Sequence, residues 1–435
     1  MRYIFMDNFR GFKRAVVPIG KATFLVGENS TGKSSLMSLV SLMSTFQFFM
    51  DPWLSLGDTE NLGGFNDIVS FTSKVRKKFT IGMLITKKQK EDQTKKREHS
   101  FALFTFLNEE GMPKISRYVQ YSNDEILKIA FFPKNVSFKT TKKMAQNDMT
   151  EDKFIEFAMK VFDEDSKDRT GFRSLPKDIL PEMPIGYYLA TIQSLDGQKK
   201  KEKLLSLSGL SSMIGMTWIA PIRTKSKRTY EAFKTGFTPE GDHTPYVIRK
   251  TLESKEKAEE FTRLLHTFGQ SSGLFSKVEV HSFGKDPSAP FEVRIEIIGG
   301  KLNISNVGYG VSQVLPVVVE MLTRPKGHWF LIQQPEIHLH PRAQAALGDL
   351  IHTLVKKQGH NYIIETHSEY LIDRFRFNLK KAGGPTGCRV IYFERTKSGN
   401  AAHILPIDIT GKYPKDQPKE FKRFFIDEEM KLLEI

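Results

Sequence analysis

The chain has very little cysteine and no long apolar run. Cys388 is the one cysteine among 435 residues, so neither a disulfide framework nor a multi-cysteine zinc site can form within one chain. The longest uncharged run, residues 34–50, is interrupted by Ser, Thr and Gln, which predicts a buried helix rather than a membrane span. The first residues lack the apolar core of a secretory signal. These absences predict a cytoplasmic protein that does not enter the membrane.

Acidic residues are too few to balance the basic ones. The formal net charge is +15 at pH 7. Basic runs gathered on one face would form an electrostatic footprint for DNA or for an acidic partner, whereas scattered runs are simply solvated loops. The charge therefore leaves DNA as an open possibility. The runs are residues 74–78, 87–90, 95–97, 199–203 and 225–228.

Local patterns divide the chain into three predicted segments. Residues 1–138 form an N-terminal lobe in which the alternating stretches 79–85 and 101–107 indicate antiparallel strands. Residues 139–210, rich in Lys, Asp, Glu and Met, predict a helical insertion. Residues 211–435 alternate strands and helices, which favours a parallel sheet with flanking helices. Predicted elements of this last segment are a helix near 245–268, a hairpin of 278–282 with 291–298, helices from 312, 341–358 and 368–377, and strands 328–332, 362–365 and 389–393.

The strongest single motif lies at residues 27–34, which match G-x-x-x-x-G-K-[ST]. The two glycines let the loop curl so that backbone N–H groups point at phosphate oxygens. Lys33 reaches the terminal phosphates, the Ser34 hydroxyl is placed to bind Mg²⁺, and the helix that follows adds its positive N-terminal end. The motif predicts an ATP and Mg²⁺ site made of Gly27, Glu28, Asn29, Ser30, Thr31, Gly32, Lys33, Ser34 and Ser35.

Three later segments place polar groups where a nucleotide site could use them. Residues 306–316 carry glycines and a serine at a helix N-terminus, which suits either an anion site or a plain capping turn. Residues 328–336 are an apolar strand that ends in polar residues, at the sheet edge where ligands bind. Residues 362–368 repeat that pattern and end in a histidine and a hydroxyl. A lone histidine there is more often structural, but the order of the whole set favours a nucleotide site.

Together these motifs resemble the ABC-type ATPases that include the RecF, SMC and OLD proteins and the ATPase subunits of anti-phage systems such as Septu and PARIS. The resemblance is greatest to single-head members with Pro-Glu-x-His-Leu-His-Pro, here residues 335–341, and Thr-His-Ser, here residues 366–368. It covers about residues 1–75 and 215–435. It implies an α/β ATPase head with two lobes, an antiparallel β region and a helical insertion.

The resemblance also implies roles for individual residues. Residues 27–35 correspond to the Walker A motif, and residues 306–313 to the signature motif that reaches the γ-phosphate of a second subunit. Gln333 and Gln334 occupy the Walker B positions, and His367 that of the switch histidine. The implied signature contacts are Gly310, Ser312 and Gln313.

Amides stand where the family usually has carboxylates. An amide cannot take a proton as a general base, although it can orient water. Gln333 could still hold a metal-bound water, and Glu336 is the nearest remaining carboxylate. A chain whose carboxylates had been exchanged to trap ATP would have the same residues. The sequence therefore predicts ATP binding with slow hydrolysis. The catalytic candidates are Gln333, Gln334, Glu336 and His367, and the metal candidates are Ser34 and Gln333.

In the resembling family two heads face each other, which implies a homodimer or a larger assembly. The leading hypothesis is a sensor or scaffold subunit of an anti-phage defence complex that works with a separately encoded effector, a nuclease. One alternative is a DNA-repair or chromosome-associated ATPase that acts directly on DNA. Others are an ATP-binding structural module and a transporter ATPase, the last disfavoured by the insertion. The tail after His367 shows no spacing typical of a two-metal nuclease, so the chain is expected to cut nothing by itself.

Overall fold

A computed structural model of the chain shows two compact units, each built from separate stretches of sequence. The first contains Met1–Ile19, Glu28–Gly215 and Phe393–Ala402; the second contains Gly20–Gly27, Met216–Tyr392 and His403–Ile435. The structure describes residues 1–45, 48, 62–73, 76–88, 97–142, 149–165, 170–181, 183–195, 215–231, 236–286, 288–421 and 423.

Seventeen strands and nine helices are assigned among the described residues. The strands are β1 Arg2–Phe9, β2 Phe12–Ile19, β3 Ala22–Gly27, β4 Lys78–Lys88, β5 Arg97–Glu109, β6 Met112–Ser122, β7 Glu125–Phe131, β8 Val136–Lys142, β9 Arg173–Ser174, β10 Thr217–Ile219, β11 Lys277–Ser282, β12 Phe291–Ile297, β13 Gly300–Asn303, β14 Trp329–Gln333, β15 Asn361–Glu365, β16 Cys388–Thr396 and β17 Gly399–Ile407. The helices are α1 Lys33–Met43, α2 Phe65–Ile68, α3 Glu151–Asp165, α4 Ile185–Leu195, α5 Thr244–Glu253, α6 Ala258–Ser272, α7 Tyr309–Thr323, α8 Pro341–Gln358 and α9 Glu369–Ala382.

The first unit is built on an eight-stranded sheet in the order β2-β1-β4-β5-β6-β7-β8-β9, with every neighbouring pair antiparallel. One hydrophobic cluster combines residues of this sheet, such as Phe5 and Phe101, with residues of α3. The apolar residues of α3 recur every three or four positions, so they form the single stripe that a helix buries against a sheet. They are Phe154, Ala158, Val161 and Phe162.

The antiparallel region extends further than its predicted boundary. The predicted limit at residue 138 falls inside β8, which pairs with β7 on one side and with β9 on the other. Within residues 139–210, α3 and α4 are helical, as the composition indicated. The division into three domains itself stays a prediction.

The second unit is built on a six-stranded sheet in the order β10-β14-β15-β3-β16-β17, whose last two strands also carry residues of the first unit. Strands β10, β14, β15 and β3 pair in parallel, which confirms the prediction from alternating strands and helices. Their apolar residues are buried on both faces, as a parallel sheet covered by helices requires. A separate antiparallel sheet contains β11, β12 and β13.

Most predicted elements of the second unit are present, with one correction. α8 spans the predicted residues 341–358, and the hairpin of β11 with β12 is present. The predicted helix over 245–268 is two helices, α5 and α6. Ser254 after α5 has an extended backbone, and its N–H bonds to Thr251 O. The next three residues, 255–257, are charged, so the apolar period that would continue α5 is interrupted.

Two further observations bear on the predicted environment. Among the described residues, no helix combines the length and apolar character needed to span a bilayer. Cys388 is buried in the second unit, where burial raises the pKa of its thiol to about 11. A thiol with that pKa stays protonated and unreactive at neutral pH.

Candidate nucleotide site

The loop between β3 and α1 requires glycine at its last position. Gly32 has a φ of +104°, in the region that residues with a side chain rarely adopt. A Cβ at Gly32 would lie 2.5 Å from the ring of Phe12, so no other residue fits without displacing that ring. Phe12 in turn packs edge-on against Phe393 of the same unit. The glycine is therefore needed for packing as well as for the shape of the loop.

Side chains of the first unit hold this loop in a compact form. The Lys33 ammonium is buried and donates to the carbonyl of Glu28 at 2.8 Å, as does the Thr31 hydroxyl. The Arg395 guanidinium donates to the Ser30 carbonyl at 2.9 Å. Lys33 thus lies folded over the loop, with its charge directed at a backbone oxygen.

The start of α1 suits a phosphate group. No side chain caps this helix, whose N-cap position is Gly32. The first N–H groups of a helix attract an acceptor, and their partial positive charge favours an anion. The hydroxyl of Ser34, in the first turn of α1, is exposed. These residues fit the predicted ATP and Mg²⁺ site.

In the second unit, the carboxyl ends of β14 and β15 place Gln333 beside Glu365. The Gln333 amide nitrogen donates to a Glu365 carboxylate oxygen at 3.2 Å, and its amide oxygen accepts from the indole N–H of Trp218, also at 3.2 Å. An indole N–H can only donate and a carboxylate can only accept, so these two partners determine which way the amide points. Gln333 is therefore held in one orientation.

Gln334 follows in a backbone conformation that is unusual for a residue with a side chain. Its φ is +42°, in the left-handed region. Its N–H donates to the carbonyl of Glu365 at 2.8 Å, and its carbonyl accepts from the N–H of Ile337 at 3.3 Å. The chain thereby makes a tight turn directly after β14, and Glu336 lies within that turn.

Glu336 is a buried carboxylate that is only partly hydrogen-bonded. One oxygen, Oε1, accepts from the backbone N–H of His367 at 2.7 Å, whereas Oε2 is buried without a hydrogen-bond partner. Burial raises the pKa of Glu336, against the opposing effects of the backbone N–H groups of His367 and of Glu336 itself, of the Thr366 hydroxyl and, last, of the positive charge of Arg223. His367 contributes its backbone to this contact while its side chain is exposed.

The predicted signature residues lie at the start of α7. Gly310 allows a close approach, because a Cβ there would lie 2.9 Å from the carbonyl oxygen of His338. Ser312 and Gln313 are buried; the Ser312 hydroxyl donates to Tyr309 O and the Gln313 amide to Arg223 O. Their contact with a second subunit stays a prediction. The exposed residues of this segment include Asn306, Gly308 and Tyr309.

The second unit therefore contains Gln333, Gln334, Glu336 and His367 at neighbouring strand ends, together with Gly310, Ser312 and Gln313. The loop residues from Glu28 to Ser35 belong to the first unit. In the described part of the chain, no group of three or more His, Cys, Asp or Glu residues is arranged to hold a metal ion.

Sequence reasoning missed three residues of the second unit: Trp218, Arg223 and Glu365. Trp218 and Glu365 hold the Gln333 amide, and the Arg223 guanidinium donates to the Gln333 carbonyl at 3.0 Å. One signal was available for Glu365, which directly ends an apolar strand. Arg223 stands four residues beyond the short strand β10, so only the pairing of β10 with β14 explains its position.

Comparisons with solved structures return SMC head domains. The Smc head bound to the C-winged helix domain of ScpA has 13% sequence identity and a TM-score of 0.40, over 93% of this chain and 97% of that one. A Pyrococcus furiosus Smc head with an extended coiled coil, bound to the C-terminal domain of ScpA, has 11% identity and a TM-score of 0.40, over 100% and 99%. The SMC head domain from Thermotoga maritima has 10% identity and a TM-score of 0.39, over 94% and 100%.

A search of curated proteins gives no significant match. The family described as AAA ATPase domain matches residues 1–372, which is most of the chain and includes both the phosphate loop and the strand ends just described. This protein belongs to the AAA ATPase domain family.

Proposed function

We propose that this ATPase binds Mg²⁺ and ATP at residues 27–35 and hydrolyses the ATP slowly. The observation that carries the proposal is the pair of amides, Gln333 and Gln334, at the carboxyl end of β14. An amide cannot accept a proton from the attacking water. The Gln333 amide is also held by Trp218 and Glu365. We therefore expect turnover below the enzyme median of about 10 per second.

Glu336 is the carboxylate to which we assign the proton transfer. The His367 N–H holds its Oε1, and the unpartnered Oε2 would take the proton; because Oε2 is buried, the attacking water reaches it poorly, which fits slow hydrolysis. Burial raises the pKa of Glu336, which makes this carboxylate a stronger base than an exposed one. Gln333 and Gln334 would orient the water, as glutamine does in other phosphoryl-transfer sites.

In the first unit, Lys33 and Ser34 are the residues that would hold the nucleotide and its metal; in the second unit, Gln333 is the metal candidate. The Lys33 ammonium would exchange the Glu28 carbonyl for the terminal phosphates, which carry full negative charge. The Ser34 hydroxyl would bind Mg²⁺, and the Gln333 amide oxygen has a second lone pair for a metal besides the one that accepts from Trp218. When bound, Mg²⁺ neutralises charge on the phosphate oxygens.

Restoring a carboxylate tests this proposal. We expect Gln334→Glu to raise kcat, because a base then stands at the Walker B end. Gln333→Glu should raise kcat less, since it places two carboxylates side by side at Glu365 and raises the pKa of one of them. Glu336→Gln should lower kcat further. Turnover at ordinary enzyme rates by the unaltered chain, with no change in Glu336→Gln, would refute the assignment.

At the biological level, we propose a cytoplasmic sensor or scaffold subunit of an anti-phage defence complex with a separate effector nuclease. This proposal rests on the motif resemblance at residues 335–341 and 366–368. Co-purification with the products of neighbouring genes tests it, and plasmid cleavage should require the partner. Cleavage by the pure chain with Mg²⁺ and ATP would contradict it. The tail after His367 includes the acidic residues 427–429, which lie outside the described residues.

Direct action on DNA is the alternative, and the charge of the chain favours it. The net charge is +15, and Lys225, Lys227 and Arg228 are exposed on one loop of the second unit. If this loop binds DNA, DNA should stimulate hydrolysis, affinity should fall steeply with salt, and replacing the three residues with Glu should weaken binding. The basic run 199–203 lies outside the described residues.

A further inference from the structure

Arg223 connects two of the predicted site segments within the second unit, although no motif marks it. Its side chain is buried, with 4% exposed. The guanidinium Nη2 donates to the carbonyl of Gln333 at 3.0 Å, with a longer contact of 3.5 Å to that of Gln334. Its own carbonyl accepts from the Gln313 amide at 3.4 Å. Arg223 therefore contacts both the signature helix α7 and the turn after β14.

Arg223 and Glu336 have complementary unfilled hydrogen-bonding capacity. The Nε and Nη1 groups of Arg223 are buried without an acceptor, and Oε2 of Glu336 is buried without a donor. The positive charge of Arg223 acts on Glu336 in a desolvated site. In such a site opposite charges interact strongly, and removing one leaves the other uncompensated.

The same arginine supports a strained piece of backbone. Gln334 has a φ of +42°, a conformation that costs roughly 1–2 kcal/mol for a residue with a side chain. Such conformations persist where surrounding contacts hold them. The guanidinium donates to the Gln333 carbonyl and makes the longer contact with the Gln334 carbonyl, so it lies beside the backbone on both sides of the Gln334 Cα, two residues before Glu336.

We propose that Arg223 is a positioning residue for ATP hydrolysis. It holds the turn after β14 and supplies the positive charge opposite Glu336. The role of Glu336 in this inference rests on the proposed function. Arg223 acts through these residues; no contact with ATP is assigned to it. Its backbone contact with Gln313 links the position of α7 to the same turn.

Kinetics of two substitutions test the positioning role. Arg223→Met removes both the charge and the hydrogen bonds, and should lower kcat roughly 10- to 100-fold, the range found for outer-shell supports, with little change in the KM for ATP. Arg223→Lys keeps the charge, but its single nitrogen on a shorter side chain cannot reproduce the contacts of Nη2 with both carbonyls, so it should restore only part of the kcat lost in Arg223→Met.

Arg249 provides a matched control in the same unit. It is also buried, and its guanidinium donates to the carbonyls of Asp286 and Ala289. Arg249→Met should lower the Tm without a comparable loss of kcat. If Arg223→Met retains the kcat of the unaltered chain, or if both substitutions lower kcat equally, the inference is overturned. Should Arg223→Met not fold, an unchanged kcat in Arg223→Lys overturns it.

A second measurement does not depend on hydrolysis. We would compare the Tm of Arg223→Met, Glu336→Gln and the double variant. The Tm of the double variant should fall by less than the sum of the decreases in the two single variants, because neither charge is then left buried alone. Additive losses overturn the inference even if the unaltered chain is an active ATPase. Non-additive losses in a chain without ATPase activity support the buried pair and instead refute the proposed function.

Discussion

At the scale of single residues, Lys33 carries the most direct test of nucleotide binding. Its ammonium is buried and directed at the Glu28 carbonyl, where it can exchange a neutral acceptor for a charged phosphate. A hydrogen bond to a charged group contributes about 1.5–3 kcal/mol. We therefore expect Lys33→Ala to weaken ATP binding roughly 10- to 100-fold in a calorimetric titration.

Lys13 gives the control for this substitution. It lies in the same unit, on β2, with an exposed side chain outside the loop. Lys13→Ala should bind ATP as the unaltered chain does. If both variants bind ATP with equal affinity, and both show the circular dichroism spectrum of the unaltered chain, the phosphate loop is not the ATP site.

At the scale of elements, two helices each have a glycine as their second residue, with opposite surroundings. In α7, a Cβ at Gly310 would lie 2.9 Å from the backbone oxygen of His338; in α4, a Cβ at Gly186 would meet nothing within 4 Å. Replacing a helical glycine with alanine ordinarily stabilises by roughly 0.5–1 kcal/mol. We expect that gain for Gly186→Ala.

Gly310→Ala should instead destabilise the second unit by roughly 1–3 kcal/mol, the usual cost of overpacking, because α7 or the His338 segment must move. Thermal unfolding of both variants measures the difference. Stabilisation by both substitutions would show that α7 can move away from His338 without cost.

The segment before β15 carries a histidine that should make the second unit sensitive to acid. His360 is fully buried, and burial, aided by the charge of His328, lowers its pKa from 6.5 to about 4. The unfolded chain then binds a proton at a higher pH than the folded chain does. The stability that comes from burying His360 in its neutral form is therefore complete above about pH 6.5, and it is lost as the pH falls towards 4.

The shift of the His360 pKa corresponds to a decrease of about 3 kcal/mol in the free energy of unfolding when the pH is lowered from about 6.5 to 4. Urea unfolding at several pH values between 7.5 and 4.5 measures it. His360→Phe, which cannot titrate, should make the dependence on pH less steep, whereas His281→Phe, at an exposed position on β11, should leave it unchanged. An equally steep dependence in both variants would assign the acid sensitivity to other groups.

At the scale of the whole molecule, the proposed ATP-dependent dimer should depend on exposed residues at the start of α7. Tyr309 is 60% exposed there, and Tyr370 on α9 of the same unit is 55% exposed. Light scattering should show the mass doubling with ATP and Mg²⁺. Tyr309→Ala should reduce the fraction of dimer formed with ATP, since an exposed aromatic side chain often anchors an interface. Tyr370→Ala, the control, should form as much dimer as the unaltered chain. A monomer under all conditions would contradict the dimer.

Local sequence by itself determined the phosphate loop and the order of strands and helices in the second unit. A pattern such as residues 27–34 encodes its own backbone shape, and the apolar runs of β14 and β15 report burial in a parallel sheet. These properties depend on neighbours along the chain. The family match supports the same ATPase assignment.

Only the tertiary structure decided which side chains surround the amides at the end of β14. Trp218 and Arg223 stand 115 and 110 positions before Gln333 in the chain, and they reach it because β10 pairs in parallel with β14. Tertiary packing likewise buried Ser312 and Gln313, which the family resemblance implied as contacts for a second chain. Hydrogen-bond partners and burial depend on distances in space between residues far apart in sequence, and no local pattern records those distances.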